Sequence, residues 1–240
     1  MNIILSGYGR MGHEVEKAAQ LRGHHIVARM DKKSDWNNLE INNLERPVVI
    51  DFSLPDAVRE VYSYCFVHQL PVISGTTGWL EKWDEVVGEC TSNGGAFFYA
   101  SNFSVGVNIM FYLNEQLALI MSKVSGYTPK MKEIHHVHKL DAPSGTAITL
   151  ANQIISRFGN LTSWTLEQPG ENGTLSIESI REGEVPGTHE VTYESQQDII
   201  SLVHEAKNRQ GFALGAVLAA EFLKGKSGIY SMKDLMQDLI

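Results

Sequence analysis

Short apolar runs alternate with amphipathic stretches through the first hundred residues. Asn2–Ser6, His25–Met30, Pro47–Phe52, Leu70–Ser74 and Ala96–Tyr99 are each apolar and bounded by turn residues, and each predicts a buried strand. Between them apolar positions recur at helical spacing. Met11, Val15, Ala18 and Ala19 predict a helix to about Leu21. A second helix is expected from Ser53-Leu-Pro-Asp56 to about His68, with Pro55 in its first turn, and a third over Trp79–Cys90. The connection from Lys33 to Arg46 is short and has little periodicity. Strands alternating with helices predict a parallel, doubly wound sheet, whose ligands bind beyond the carboxyl ends of its strands.

The pattern changes after residue 104. Val105–Lys123 is a long helical stretch, residues 130–139 read as a strand, and a helix is expected from Ser144 to about Phe158. Leu161–Leu166, Leu175–Arg181, His189–Ser195 and Asp198–Glu205 read as antiparallel strands, turning at Gly170–Thr174, Gly183–Thr188 and Gln196-Gln197. From Gly211 the chain is helical again, and this helix is expected to cover the open face of the first sheet. The fold class is therefore an α/β Rossmann-type parallel-sheet domain (1–104 and 210–240) plus an α+β domain (105–209) with a mainly antiparallel sheet. Hinges are expected near Phe103–Gly106 and Asn208–Gly211.

Composition narrows the function classes. With 240 residues and 43% hydrophobic content the chain can bury a large core. A net charge of −8 argues against nucleic acid or an anionic membrane as partner. Cys65 and Cys90 have neither metal-site spacing nor a disulfide framework, which points to a reducing, cytoplasmic setting. The first strand starts at once, so no signal peptide is expected. Phe212–Leu223 is too short for a membrane span and contains Glu221.

Two stretches carry chemistry. Gly7-Tyr8-Gly9-Arg10-Met11-Gly12 follows the first strand and opens the first helix, and Asp31 lies nineteen positions after Gly12 at the end of the second strand. This is a dinucleotide-binding fingerprint in its proper context. The first glycine makes the tight turn, the second admits the pyrophosphate, the third allows close helix packing, and the acid holds ribose hydroxyls. Gly75-Thr-Thr-Gly78 and Ala100-Ser-Asn-Phe103 end further strands on the same side. The second stretch is Glu133-Ile-His-His-Val-His-Lys-Leu-Asp-Ala-Pro-Ser-Gly-Thr-Ala147. Alternation along a strand would send Glu133, His135 and Lys139 one way, and Ile134, His136 and His138 the other. Asp141 or Ser144 could cap the helix that follows, and a helix start offers amides to an anion. Imidazole, ammonium and helix N-terminus together suit proton transfer on a small carboxylated substrate. No metal is expected: His136 and His138 share a face, but the stretch has no third ligand at zinc-site spacing and Lys139 repels a cation.

These segments, with Asp51-Phe-Ser53, Ser101-Asn-Phe-Ser-Val-Gly-Val-Asn108 and Ile180-Arg-Glu-Gly-Glu-Val-Pro-Gly-Thr-His189, resemble the 4-hydroxy-tetrahydrodipicolinate reductase (dihydrodipicolinate reductase) family of lysine and diaminopimelate biosynthesis. The glycine fingerprint is generic, whereas the His-His…Lys…Asp-Ala-Pro-Ser-Gly-Thr stretch is specific to that family. The resemblance implies reduction of a cyclic imine dicarboxylate by NADH or NADPH in a cytoplasmic homotetramer. It implies that His135 donates and accepts the proton, with Lys139 as second catalytic group. His136, Ser144, Gly145, Thr146 and Thr77 would hold the substrate. Gly7–Gly12, Asp31, Lys32, Gly75, Thr76, Thr77, Ala100, Ser101, Asn102 and Phe103 would contact the cofactor. Leu54 departs from the pattern, standing where some relatives place an arginine. Two other readings keep the fingerprint: an amino-acid dehydrogenase, against which the Asp-Ala-Pro-Ser-Gly-Thr anion site argues, and a nucleotide sensor, which would need neither His135 nor Lys139.

Overall fold

The computed structural model describes residues 1–40, 46–166, 173–208 and 210–238. The chain divides into two compact units, Met1–Val105 with Gln210–Ile240, and Gly106–Arg209. Residues 41–45 of the expected connection, 170–172 of an expected turn, and Arg209 of the second expected hinge lie outside the described residues.

The first unit carries β1 (Asn2–Ser6), α1 (Arg10–Leu21), β2 (His25–Met30), α2 (Lys33–Asn37), β3 (Val48–Asp51), α3 (Val58–Val67), β4 (Val72–Ser74), α4 (Trp83–Ser92) and β5 (Ala96–Tyr99). The chain then leaves along α5 (Val105–Met121). Among the described residues its sheet has the order β11-β5-β4-β3-β1-β2, where β11 is Gly228–Tyr230 near the C-terminus. Every pairing is parallel. Both faces are covered, and successive residues of β1 serve opposite cores. Ile3 and Leu5 pack with Val15, Ala19, Ala216 and Ala220, and Ile4 packs with Tyr62, Phe66 and Trp79. α7 (Gln210–Leu223) and α8 (Met232–Asp238) supply the cover on the first of these faces.

Three local expectations shift. α3 starts at Val58, not near Pro55, because Ser53 N is held by Thr76 Oγ1 (2.9 Å) and a turn from Leu54 O to Ala57 N (3.0 Å) comes first. The helix expected at Trp79 opens as a 3-10 turn, Leu80–Lys82, with the indole of Trp79 pinned to Thr76 O at 2.7 Å. β11 and α8 have no counterpart in the sequence reading, since three residues of strand carry no periodicity.

The second unit contains most of α5, then β6 (Thr128–His135), α6 (Gly145–Ile155), β7 (Ser163–Leu166), β8 (Thr174–Arg181), β9 (Thr188–Glu194) and β10 (Ile199–Glu205). Its sheet runs β10-β9-β6-β8-β7. The antiparallel pairing expected holds for β6-β9-β10, while β8 joins β6, and β7 joins β8, in parallel. The sheet is thus mixed, with the α6 crossover between β6 and β7 returning the chain to run in the direction of β6. One sheet face is buried against α5 and α6 by Met131, Leu175, Ile177, Val191 and Tyr193, with Met110, Leu150 and Ile154 from the helices. Among the described residues, no helix is long and apolar enough to cross a membrane.

Candidate active site

The buried face of the second sheet changes character along its strands. Period-two alternation continues the row of Met131 into Glu133 and His135, and the row of Leu175 and Ile177 into Ser179 and Arg181. Register then sets Glu133 opposite Ser179 on one side and His189 on the other, and His135 opposite Arg181. An apolar core at one end becomes a polar cluster at the other, assembled from three strands.

Glu133 is fully buried, and its carboxylate is well satisfied. It accepts from Ser144 N (3.2 and 3.1 Å), Ser179 Oγ (2.6 Å) and Arg181 Nη2 (3.3 Å). Burial raises its pKa, but the hydrogen bonds from Ser144 and Ser179 outweigh this and hold it below the usual carboxylate value. His135 is 6% exposed, with Nδ1 3.6 Å from Glu133 Oε2. Burial lowers its pKa; Glu133 opposes the shift, while Lys139 and Arg181 add to it. His189 is buried beside it, the rings edge to face at 5.1 Å, and desolvation pushes its pKa down to about 4.

Lys139 is not on the strand. β6 ends at His135, whose carbonyl accepts from Glu182 N (2.8 Å), and a turn closed by Lys139 N to His136 O (3.1 Å) follows. The expected sharing of one strand face by His135 and Lys139 is therefore replaced by a turn. That turn is held by Arg181, which donates to Lys139 O (3.4 Å) and Asp141 O (2.6 Å). Lys139 Nζ pairs with Asp141 Oδ1 at 2.7 Å, which lowers the Asp141 pKa. His136 is half-buried, and His138 is exposed near Glu184 (3.2 Å).

Ser144 caps α6, accepting from Ala147 N at 3.2 Å, and its hydroxyl lies 3.1 Å from His189 Nε2. Ser144 is 3% exposed, and its side chain serves the helix cap and the buried cluster. Gly145 and Thr146 stand in the first turn of α6, Gly145 exposed. Glu133, His135 and His189 also bring ligand atoms within 4.8 Å of one another, a group that includes neither His136 nor His138. Arg181 is already seated on that carboxylate, so the cluster has its cation.

In the first unit the expected cofactor residues lie beyond the carboxyl ends of β1, β2, β4 and β5. The order reverses at β1, whose neighbours are β2 and β3, the switch point where such sheets bind ligands. Gly7 (φ 81°) makes the turn, and a Cβ there would meet Phe52 O at 2.4 Å. Gly9 is exposed, with nothing within 4 Å of an added Cβ, leaving the backbone approachable. Tyr8 N donates to Asp31 Oδ1 (2.7 Å), while Tyr8 OH and Arg29 both hold buried Glu16. Arg10, Asp31, Lys32, Thr77 and Ser101 are exposed; Met11 and Asn102 are half-buried. Thr76, Ala100 and Phe103 are buried, so their side chains support the loops. Thr76 Oγ1 donates to Asp51 Oδ2 (2.6 Å), and Tyr62 OH donates to the same oxygen (2.7 Å). Gly75 lies against the Phe52 ring. A cleft lined by Met30, Asp31, Lys32, Trp36, Ser53 and Tyr64 adjoins β1 and β2. Leu54 is 72% exposed. Trp36, Tyr64 and Ser179 escaped the sequence reading, whereas Arg181 and His189 lay within a quoted segment without an assigned role.

Comparison with known proteins agrees with both halves of this architecture. The family models for the dihydrodipicolinate reductase N-terminus and C-terminus match residues 1–103 and 106–236. A 4-hydroxy-tetrahydrodipicolinate reductase of Christiangramia forsetii is 50% identical over 239 residues, spanning 100% of this chain and 99% of the relative. One from Rickettsia rickettsii is 33% identical, with 98% of each chain covered. The fold is also that of a dipicolinate-bound dihydrodipicolinate reductase from Paenisporosarcina sp. TG-14, with a TM-score of 0.77 at 21% identity over 96% of this chain and 97% of that one. Matched in both units and across its full length, the chain belongs to the dihydrodipicolinate reductase family.

Proposed function

We propose that this chain reduces 4-hydroxy-tetrahydrodipicolinate to tetrahydrodipicolinate with NADH or NADPH, in lysine and diaminopimelate biosynthesis. The observation that carries the reading is the grouping of His135, Lys139 and the α6 N-terminus in one unit of a chain half identical to a curated reductase of that name.

The first unit's residues fit a nicotinamide dinucleotide: an open Gly9, an acid at the end of β2, and a cleft beside it. When bound, the cofactor supplies a hydride. The Gly7–Gly12 turn and α1 N-terminus would cradle its pyrophosphate. Asp31 would exchange Tyr8 N for ribose hydroxyls, with Lys32 beside it. Gly75–Thr77 and Ala100–Phe103 would line the nicotinamide end. In the second unit, the 4-hydroxyl must leave as water, taking a proton from the ring carbon between it and the imine and leaving a conjugated double bond. Hydride addition at the far end of that double bond then puts electron density back on the same ring carbon, which must gain a proton. His135 would donate it as imidazolium. Lys139 would trade Asp141 for a substrate carboxylate or the developing negative nitrogen. His136 and the Gly145–Thr146 amides would hold the second carboxylate, with Thr77 completing the substrate contacts.

The working form would be a cytoplasmic homotetramer. The free, buried thiols of Cys65 and Cys90 fit a reducing compartment. Edge strand β10, with Ile199 and Val203 exposed, fits a surface that assembly covers.

Freshly generated hydroxytetrahydrodipicolinate, added to purified protein with NADH or NADPH, should be reduced with loss of absorbance at 340 nm. Nucleotide binding without consumption of either cofactor would replace this reading with that of a sensor.

A further inference from the structure

The proton-transfer reading leaves the most buried acid of the second unit without a task. We propose that Glu133 is a positioning residue for the reaction: it holds His135 in the tautomer protonated on Nδ1, so that Nε2 is the atom that gives and takes the proton. This rests on the assignment of His135 as proton donor.

The argument begins with acceptor geometry. Glu133 Oε1 takes Ser179 Oγ, Arg181 Nη2 and one arm of the Ser144 amide. Oε2 takes the other arm and faces two imidazole nitrogens, His135 Nδ1 at 3.6 Å and His189 Nε2 at 3.7 Å. An ionised carboxylate only accepts. His135 Nδ1 is buried with no hydrogen-bond partner, so a lone pair there would face a carboxylate lone pair in a dry site. A proton on Nδ1 removes that repulsion and leaves Nε2 as the reactive atom. The same logic orients the histidine of a hydrolase triad.

The neighbours fit this role. His189 stays neutral through the physiological range, so it does not compete as a cation for the carboxylate. Its ring packs edge to face on His135 and restricts rotation. On the other side, an added Cβ at Gly187 would lie 3.0 Å from His135 Nε2, so glycine keeps that atom clear. The charged and titratable groups around His135 are Glu133 on its own strand, Lys139 and Asp141 in the turn, Arg181 on β8 and His189 on β9, with His204 of β10 beyond His189. Lys139 and Arg181 oppose an imidazolium; Glu133 is the largest charge favouring it, ahead of Asp141.

The test starts with the unaltered full chain. Ring nitrogen-15 spectra, with His135 assigned by the resonances lost in His135→Gln, should show Nδ1 protonated and Nε2 bare at alkaline pH. The opposite tautomer overturns the proposal. Glu133→Gln should lower kcat by roughly tenfold or more, as expected when a general acid loses its orienting group. It should also move the falling limb of the kcat/KM profile to lower pH, because a carboxylate that favours the imidazolium is gone. A Glu133→Gln enzyme that folds and keeps its limb in place overturns the proposal, since a merely structural acid would change yield and not the profile. If Arg181, left unpaired, prevents that variant from folding, the tautomer measurement decides alone. Full turnover in His135→Gln would instead defeat the underlying assignment, so the two failures are distinguishable.

Discussion

At the scale of single residues, His135 and Lys139 stand in opposite electrostatic situations. Burial lowers the pKa of His135, so in the free protein its acid form is scarce at neutral pH. A bound dicarboxylate adds negative charge and favours the imidazolium. As the proposed proton donor, His135 would be consumed in its acid form, so kcat/KM should fall as pH rises, with its limb below the ordinary histidine value of 6.5. The limb in kcat, which reports the substrate complex, should lie at higher pH. Coincident limbs would show that substrate does not act on this group. His135→Gln should reduce turnover by roughly 10²–10⁴-fold with little change in substrate binding. Lys139 is already paired, with Asp141 at 2.7 Å, so its ammonium is held beside the site before substrate arrives. Lys139→Ala should raise KM and lower kcat together, through a charge-assisted contact worth roughly 1.5–3 kcal/mol. Unaltered steady-state constants would place Lys139 outside the site.

At the scale of elements, the β6-turn-α6 segment is tied at two points. Ser144 donates its amide to Glu133 on β6 and caps α6 through Ala147 N. Strand end and helix start are thus fixed to each other, which sets where Gly145 and Thr146 present their amides. Ser144→Ala keeps the amide and loses the hydroxyl, and with it the cap and the partner 3.1 Å from His189 Nε2. It should destabilise the protein by about 1 kcal/mol, seen as a lower urea midpoint at unchanged slope. Ser144→Thr should recover part of the loss, since threonine also caps. An Ala variant as stable as the parent would mean that neighbouring waters replace the cap.

For the whole molecule, the buried histidine makes stability depend on pH. His189 in the folded chain protonates only near 4, against an ordinary value of 6.5. Between these values the unfolded chain binds the extra proton, so this contribution is complete above 6.5 and is lost as pH falls toward 4. The size is roughly 3 kcal/mol, from about 1.4 kcal/mol per pKa unit. Glu133 adds a loss of the same sign at lower pH, as it protonates below the usual carboxylate value. Denaturation midpoints across pH 4–7 should show the drop, and His189→Gln should flatten it; equal slopes would remove His189 as the cause. Light scattering should find a mass of four chains of 26.7 kDa each. Lysine at Ile199 and Val203 on the β10 edge should reduce it, because charge on an exposed edge disfavours edge association.

Local pattern was enough for much of this protein. Short continuous apolar runs located β1–β5 and period 3.6 located α1 and α6, since strands buried on both faces and amphipathic helices write their burial directly into neighbouring positions. The Gly7–Gly12 turn and its acid were legible for the same reason: both act through nearby backbone. The family, too, could be read from contiguous segments. Tertiary structure decided what no spacing encodes. The parallel attachment of β7 and β8, and of β11 to β5, depends on which edge is open once other strands have paired. Lys139 stands in a turn and not on β6, because Arg181 from another strand holds the Lys139 and Asp141 carbonyls. Glu133 meets Ser179, Arg181 and His189 only through register across three strands. Separations of more than forty residues close there, and burial shifts His135 and His189 by amounts that depend on the neighbours gathered, not on the residues named in the chain.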